Sequence, residues 1–273
     1  MPVKWPYLIL LVIILITLFY LYYPRIESFF VFYPQSSFDF APEGLCLKYK
    51  EVYFHSEDGE RLHGWFFPLE TGGPVILFFH GNAGNISHRL DNIRLLLERD
   101  VQVFIFDYRG YGKSSGTPSE KGVYMDGRAA YDYLAKEERI ASENIVLFGR
   151  SLGASVAIDT ALNRYARSII IESGFTSVRD MAKGMFPFNL LNFAIPPNYN
   201  NLNKIGNLSM PKLIMHGEED EIVPLSMGKR LFDAANAPKY FYSIKGAGHN
   251  DIYVVGGEKY FKAFIDFVNQ SRI

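Results

Sequence analysis

A single cysteine, Cys46, is all the thiol this chain carries. That excludes an intrachain disulfide framework and a cysteine-rich zinc site. Cys46 falls in a strand-like run, Cys46–His55, where an inert core residue is expected. Neither sign of charge is in excess: 28 Lys and Arg face 29 Asp and Glu, for a net charge of −1 with the six histidines neutral. The basic footprint of a nucleic-acid binder is therefore missing. No group of His, Cys, Asp and Glu has metal-ligand spacing, so no metal is expected. Internal repeats and low-complexity tracts are also missing. What the chain has in quantity is aromatic side chains, 23 Phe and 18 Tyr, many of them near the N-terminus and in one later insertion.

Tyr7 to Tyr23 are seventeen positions with only Thr17 outside the apolar and aromatic set, and Trp5 and Pro6 extend the run to nineteen. As a helix this spans about 25–28 Å, close to the hydrocarbon thickness of a bilayer. Trp5, Tyr7, Tyr20, Tyr22 and Tyr23 sit at its two ends, where an aromatic belt belongs. The run ends Tyr-Leu-Tyr-Tyr-Pro-Arg, too bulky for the small-residue site of a cleaved signal peptide. It has no polar face, which argues against a core helix. Residues 1–25 are thus expected to form an uncleaved single-pass anchor, crossing the membrane through 5–23. Lys4 and the terminal amine on one side against Arg25 on the other favour the N-terminus inside and the following domain on the extracytoplasmic side. Residues 26–44 read as a juxtamembrane linker. Its start, Ile26–Tyr33, suits either the membrane interface or the first stretch packed on the domain.

The remainder, 45–273, is long enough for one α/β domain. Cys46–His55 and Arg61–Phe67 alternate about the turn signal Glu57-Asp58-Gly59-Glu60, which predicts a hairpin. Val75–Phe79, Val101–Phe106, Ile145–Phe148, Ser168–Ile171 and Lys212–Met215 are apolar runs of buried strands, and Lys239–Ile244 is the last strand. Helices are predicted over Ser87–Arg99, Glu120–Leu134, Leu152–Tyr165, Leu225–Ala235 and Gly257–Val268. A hairpin followed by alternating strands and helices implies an eight-stranded, mostly parallel sheet with helices on both faces. Its active site would lie beyond the strand carboxyl ends. Residues 173–210 interrupt the alternation with 38 positions and no clear strand. An apolar, proline-bearing insertion beside that edge reads as a cap, with Phe175, Met185 and Phe186 as candidate substrate-lining residues.

Gly149-Arg-Ser-Leu-Gly153 follows directly on the run Asn144–Phe148. A strand running into G-x-S-x-G and then a helix is a nucleophile elbow, with Ser151 as nucleophile. A serine hydroxyl needs a general base. Among the six histidines, His249 lies in a glycine-rich loop between the last strand and the last helix and is the expected base. His80 and His216 each end a strand before a glycine and suit loop shaping. His55 and His63 belong to the hairpin, and His88 to the solvated first turn of a helix. An acid must hold the imidazole. Asp220 follows a strand, 69 residues after Ser151 and 29 before His249, and is preferred over Glu219; Glu218 and Glu221 read as a solvated acidic loop. The oxyanion donors are assigned to the amides of Leu152, after the nucleophile, and Asn82, in the loop His80–Asn85, with Ala83 as the alternative. Asp107–Ser114 ends in Gly-Lys-Ser, but Asp107 and Ser115 stand where the two nucleotide-binding patterns need glycine. No nucleotide is expected.

Taken together, His80-Gly-Asn-Ala-Gly-Asn85, Asp107-Tyr-Arg-Gly-Tyr-Gly-Lys-Ser114, Phe148-Gly-Arg-Ser-Leu-Gly-Ala154, His216-Gly-x-x-Asp220-x-x-Val-Pro224 and the closing Gly246-x-x-His-Asn-Asp251 resemble membrane-anchored α/β-hydrolase-domain proteins with a single N-terminal anchor. The resemblance covers about residues 45–270. It implies a cofactor-independent serine hydrolase of carboxylic esters or thioesters, with Ser151, Asp220 and His249 as a triad. Some relatives deacylate lipids or lipidated proteins, and related domains include serine peptidases. An acyltransferase and a non-catalytic membrane-tethered binding module are the other readings of the same chain.

Overall fold

The computed structural model describes residues 5–70, 72–185, 196 and 198–270. Eight strands form one sheet: β1 Lys50–His55, β2 Arg61–Phe67, β3 Val75–Phe79, β4 Gln102–Asp107, β5 Ile145–Arg150, β6 Ser168–Glu172, β7 Lys212–Gly217 and β8 Lys239–Ile244. Their spatial order is β8-β7-β6-β5-β3-β4-β2-β1. Only β2 runs against the rest, pairing antiparallel with β1 and β4. This is the α/β-hydrolase sheet, mostly parallel, with the five strands β3 and β5 to β8 all ending at one edge.

The continuous apolar runs are explained by burial on both faces. Along β3, Val75, Leu77 and Phe79 enter one core, and Ile76 and Phe78 enter the other. Helices α3 (Glu120–Lys136), α4 (Leu152–Asn163) and α7 (Leu225–Ala234) cover the first face; α2 (Leu90–Leu97) and α8 (Ile252–Gln270) cover the second. Each fully buried Val, Ile or Phe contributes about 1.5–3 kcal/mol of apolar burial, so an unpaired charge in the middle of these strands is costly on either face.

Helix α1 spans Trp5–Val31. Its stretch Trp5–Tyr23 has a mean hydropathy of 2.3 and is long and apolar enough to cross a membrane, and none of it is buried against the domain. The chain just after it packs on the domain. Phe32 is buried, and residues 33–34 pair in parallel with Ala83–Gly84.

Cys46 corrects an expectation. It is exposed, not a core residue, and sits at φ 55° closing the short turn Pro42–Leu45. Proline at the first position of that turn starts it, and strand β1 begins only at Lys50. Helix α8 also starts earlier than its periodicity suggests, at Ile252, with a break at Gly257 (φ 50°).

In the insertion, the described residues contain helices α5 (Val178–Met185) and α6 (Asn201–Ile205) and no strand. Asp180 of α5 ties it to α7 through Arg230 at 3.1 Å. Asn201 donates to Ser155 Oγ at 2.7 Å and to the Phe175 carbonyl at 2.8 Å, which fastens the end of the insertion to α4.

Candidate active site

The sheet edge assembles the site because neighbouring strands end in register. Phe79 pairs with Gly149, Arg150 with Glu172, Glu172 with Met215, and Gly217 with Ile244. The loops that follow carry Asn82, Ser151, Asp220 and His249.

At the elbow, the turn from β5 into α4 holds Ser151 at φ 54°, ψ −118°, a conformation side-chain-bearing residues rarely adopt. Its amide donates to the Glu172 carbonyl at 2.9 Å, which pins the turn. The flanking glycines are required by close approach. A Cβ on Gly153 would lie 1.9 Å from the Phe79 carbonyl oxygen, and one on Gly149 would lie 2.4 Å from that of Gly153.

His249 Nε2 lies 3.1 Å from Ser151 Oγ, and His249 Nδ1 lies 2.8 and 3.0 Å from the two carboxylate oxygens of Asp220. Both His249 and Asp220 are buried, and Ser151 is half-buried. Asp220 is held from the other side as well: its Oδ1 accepts the amides of Ile222 at 3.0 Å and Val223 at 2.7 Å. Burial pushes its carboxyl up, but the His249 bond and charge, the Val223 amide and His216 outweigh that and leave it below the usual carboxylate range. It is therefore ionised at any working pH. Glu218 and Glu219 are exposed. Glu218 and Glu219 amides donate to the Ile244 and Ala247 carbonyls, lacing the Asp220 loop to the His249 loop.

Two supports below Ser151 and His249, Arg150 and Glu172, have no obvious signature in the sequence. Arg150 Nη2 donates to the His249 carbonyl at 3.0 Å, while its Nε faces Glu172 at 3.2 Å. Glu172 also accepts from Tyr260. Burial pushes the Glu172 carboxyl up against the opposing pull of Arg150 and Tyr260. His216 Nε2 donates to the Val223 carbonyl at 2.8 Å and so shapes the acid loop. His88 is not simply solvated: its Nε2 meets Asp39 at 2.9 Å and its Nδ1 accepts the Asn85 amide.

Leu152 opens α4, where the first amides have no intrahelical acceptor and the helix dipole is positive. The loop after β3 lies against Ser151, since a Cβ on Gly81 would stand 3.7 Å from Ser151 Cβ. His80 fixes this loop. Its Nδ1 contacts the Gly81 carbonyl at 2.7 Å, and a carbonyl only accepts, so the proton is on Nδ1. That bond orients the peptide carrying the Asn82 amide.

Burial holds the His80 imidazole down at about 3, from an ordinary 6.5. Between those values the unfolded chain binds a proton that the folded one does not. Stability therefore rises with pH across this window and falls on acidification, by up to about 1.4 kcal/mol per pH unit. His216 is lowered by burial too and adds in the same direction. His80→Asn, which keeps a donor near the Nδ1 position, should reduce the slope of unfolding free energy against pH between 4 and 6 by about one proton. Denaturant titrations with equal slopes for the two proteins would contradict this.

Of the expected substrate-lining residues, Phe175 is buried edge-on to Tyr199 at 6.3 Å. Met185 ends α5, with its side chain outside what is described, and Phe186 lies outside the described residues. Two open depressions of about 470 Å³ each lie elsewhere, one lined by Tyr53, Asp132 and Tyr133, the other by Arg25, Phe29 and Pro118. Among the described residues no cluster suits a metal ion. The Asp107–Ser114 loop holds side chains, with Arg109 bonded to Asp126 at 2.7 Å and to Asp58 at 2.7 Å.

Residues 73–196 match the family model described as serine aminopeptidase, S33. Over 255 residues the chain is 36% identical to the α/β hydrolase domain-containing protein WAV2 of Arabidopsis thaliana, covering 86% of this chain and 83% of that one. The chain belongs to the α/β-hydrolase family. Protein bem46 of Schizosaccharomyces pombe is another relative, 32% identical over 96% of this chain and 92% of its own. An esterase from Pyrococcus furiosus superposes with a TM-score of 0.74 at 22% identity, over 88% of this chain and 97% of that one, a likeness of fold.

Proposed function

We propose that this α/β hydrolase is a membrane-tethered serine hydrolase that cleaves a carboxylic ester or thioester of an acyl or lipid-like group. The observation that carries the reading is the unbroken run of contacts Ser151 Oγ, His249 Nε2, His249 Nδ1, Asp220 carboxylate, at 3.1 and 2.8 Å. Ser151 attacks the acyl carbonyl while His249 takes its proton, and Asp220 stabilises the imidazolium in its orientation. The amides of Leu152 and Asn82 receive the oxyanion. His249 then gives the proton to the departing alcohol or thiol, leaving an acyl-enzyme on Ser151. Water, deprotonated by His249, releases the acid and restores the hydroxyl. Trp5–Tyr23 anchors the domain, and the Lys4 and Arg25 flanks favour its extracytoplasmic side. The apolar insertion 173–210 receives the acyl group.

The test is product analysis with the full chain in detergent, offered acyl esters and thioesters of graded chain length beside aminoacyl amides. Release of the free acid from esters or thioesters, with the longer chains preferred, is the expected result. Turnover confined to aminoacyl amides would replace it with a peptidase, and acyl transfer to added alcohols at the expense of hydrolysis with an acyltransferase.

A further inference from the structure

The segment that leaves the anchor ends on the loop that carries the oxyanion donor. Val31, the last residue of α1, accepts a bond through its carbonyl from Asn82 Nδ2 at 3.0 Å. The Tyr33 amide donates to the Asn82 carbonyl at 3.0 Å, and the Tyr111 hydroxyl donates to the same oxygen at 2.7 Å. The Gln35 amide donates to the Gly84 carbonyl at 3.1 Å. The Gln35 carbonyl in turn accepts from Asn85 Nδ2 and from the Gly112 amide, each at 3.0 Å. Phe32 is buried edge-on to Tyr111 at 6.5 Å, which holds the strap down.

We infer that residues 31–35 are a positioning element of the oxyanion hole, so the anchor's extension completes the active site in addition to tethering it. The inference rests on the hydrolase reading above. An oxyanion hole works by preorganisation, with amides aimed before charge develops. His80 fixes the peptide before Asn82, through Gly81. The strap and Tyr111 fix the peptide after it, whose carbonyl is that of Asn82 and whose amide is that of Ala83. Asn82 is thus held on both sides, and one of the two sides depends on backbone supplied from the end of α1. Without it, the loop must be ordered during the reaction, which raises the barrier without weakening ground-state binding.

The experiment uses the full chain in detergent micelles. Tyr33→Pro removes the amide donor, Tyr111→Phe removes the hydroxyl donor with little change of shape, and Tyr33→Phe restores the amide while losing only the phenol. Loss of a whole oxyanion donor costs about 10²–10³ in kcat, so displacement of one should cost about 10–100-fold. For Tyr33→Pro and Tyr111→Phe, kcat should fall by that factor with KM within about twofold, and affinity for a boronic-acid transition-state analogue should fall in parallel. Tyr33→Phe should keep the wild-type kcat. The proposal is overturned if a folded Tyr33→Pro keeps wild-type kcat, whatever Tyr111→Phe does, or if the Tyr33→Pro loss lies in KM alone. A wild-type chain with no turnover and no reactive Ser151 would instead overturn the hydrolase reading itself, and this proposal with it.

Discussion

Replacing Ser151 with alanine should bring ester or thioester hydrolysis down to background, a loss of about 10⁶-fold in kcat. In the proposed mechanism Ser151 Oγ forms the acyl bond, and an alanine methyl cannot substitute for it in any step. The fold should be untouched. The elbow is set by the backbone, through the Ser151 amide on the Glu172 carbonyl and the close approach of Gly153 to Phe79. Alanine occupies the φ 54° position with the same strain as serine. Initial rates and a thermal melt on the same preparations check both halves. A residual rate above one-hundredth of wild type would remove Ser151 from the mechanism.

Asp220→Asn should cost about 10⁴-fold in kcat with the domain still folded. Asn keeps an oxygen for the Ile222 and Val223 amides, so the acid loop retains its internal bonds. Its amide nitrogen then confronts His249 Nδ1, where the carboxylate accepted a hydrogen bond. The imidazole is driven to carry its proton on Nε2, facing Ser151 Oγ, and cannot act as base. Glu219→Gln is the reference, since Glu219 is exposed and joins the two loops through its backbone amide, which the substitution keeps; it should react at the wild-type rate. An Asp220→Asn enzyme within tenfold of wild type, or a larger loss from Glu219→Gln, would assign the acid elsewhere.

The central strands of the sheet were legible because they are buried on both faces. A run such as Val75–Phe79 has no polar member, and strand β3 occupies those five residues. Ser151 was legible for a related reason: it stands between such a strand and a helix, flanked by Gly149 and Gly153, where close backbone approach leaves no room for a Cβ; His249 stood out through its loop between the edge strand β8 and the last helix. Asp220 stood out among four acids through its place after β7, though what singles it out physically is that its oxygens satisfy two amides of its own loop. Cys46 misled because alternation continues through a turn that proline starts, and a period-two pattern does not register a turn residue at φ 55°. The strap was illegible for a deeper reason. Its bonds join the backbone of Tyr33 and Gln35 to that of Asn82 and Gly84. Such bonds leave no mark in side-chain chemistry. Likewise the Nδ1 proton of His80 follows from an acceptor that any residue at position 81 would supply.

The central claim, that Ser151 is an activated nucleophile, is tested most directly by fluorophosphonate labelling of the full chain in its membrane fraction, wild type beside Ser151→Ala. Labelling of the wild type that disappears in Ser151→Ala is the result the geometry predicts, because the His249 and Asp220 contacts raise the reactivity of that one hydroxyl. A folded wild type that takes up no probe, or an alanine variant that labels equally, would contradict it.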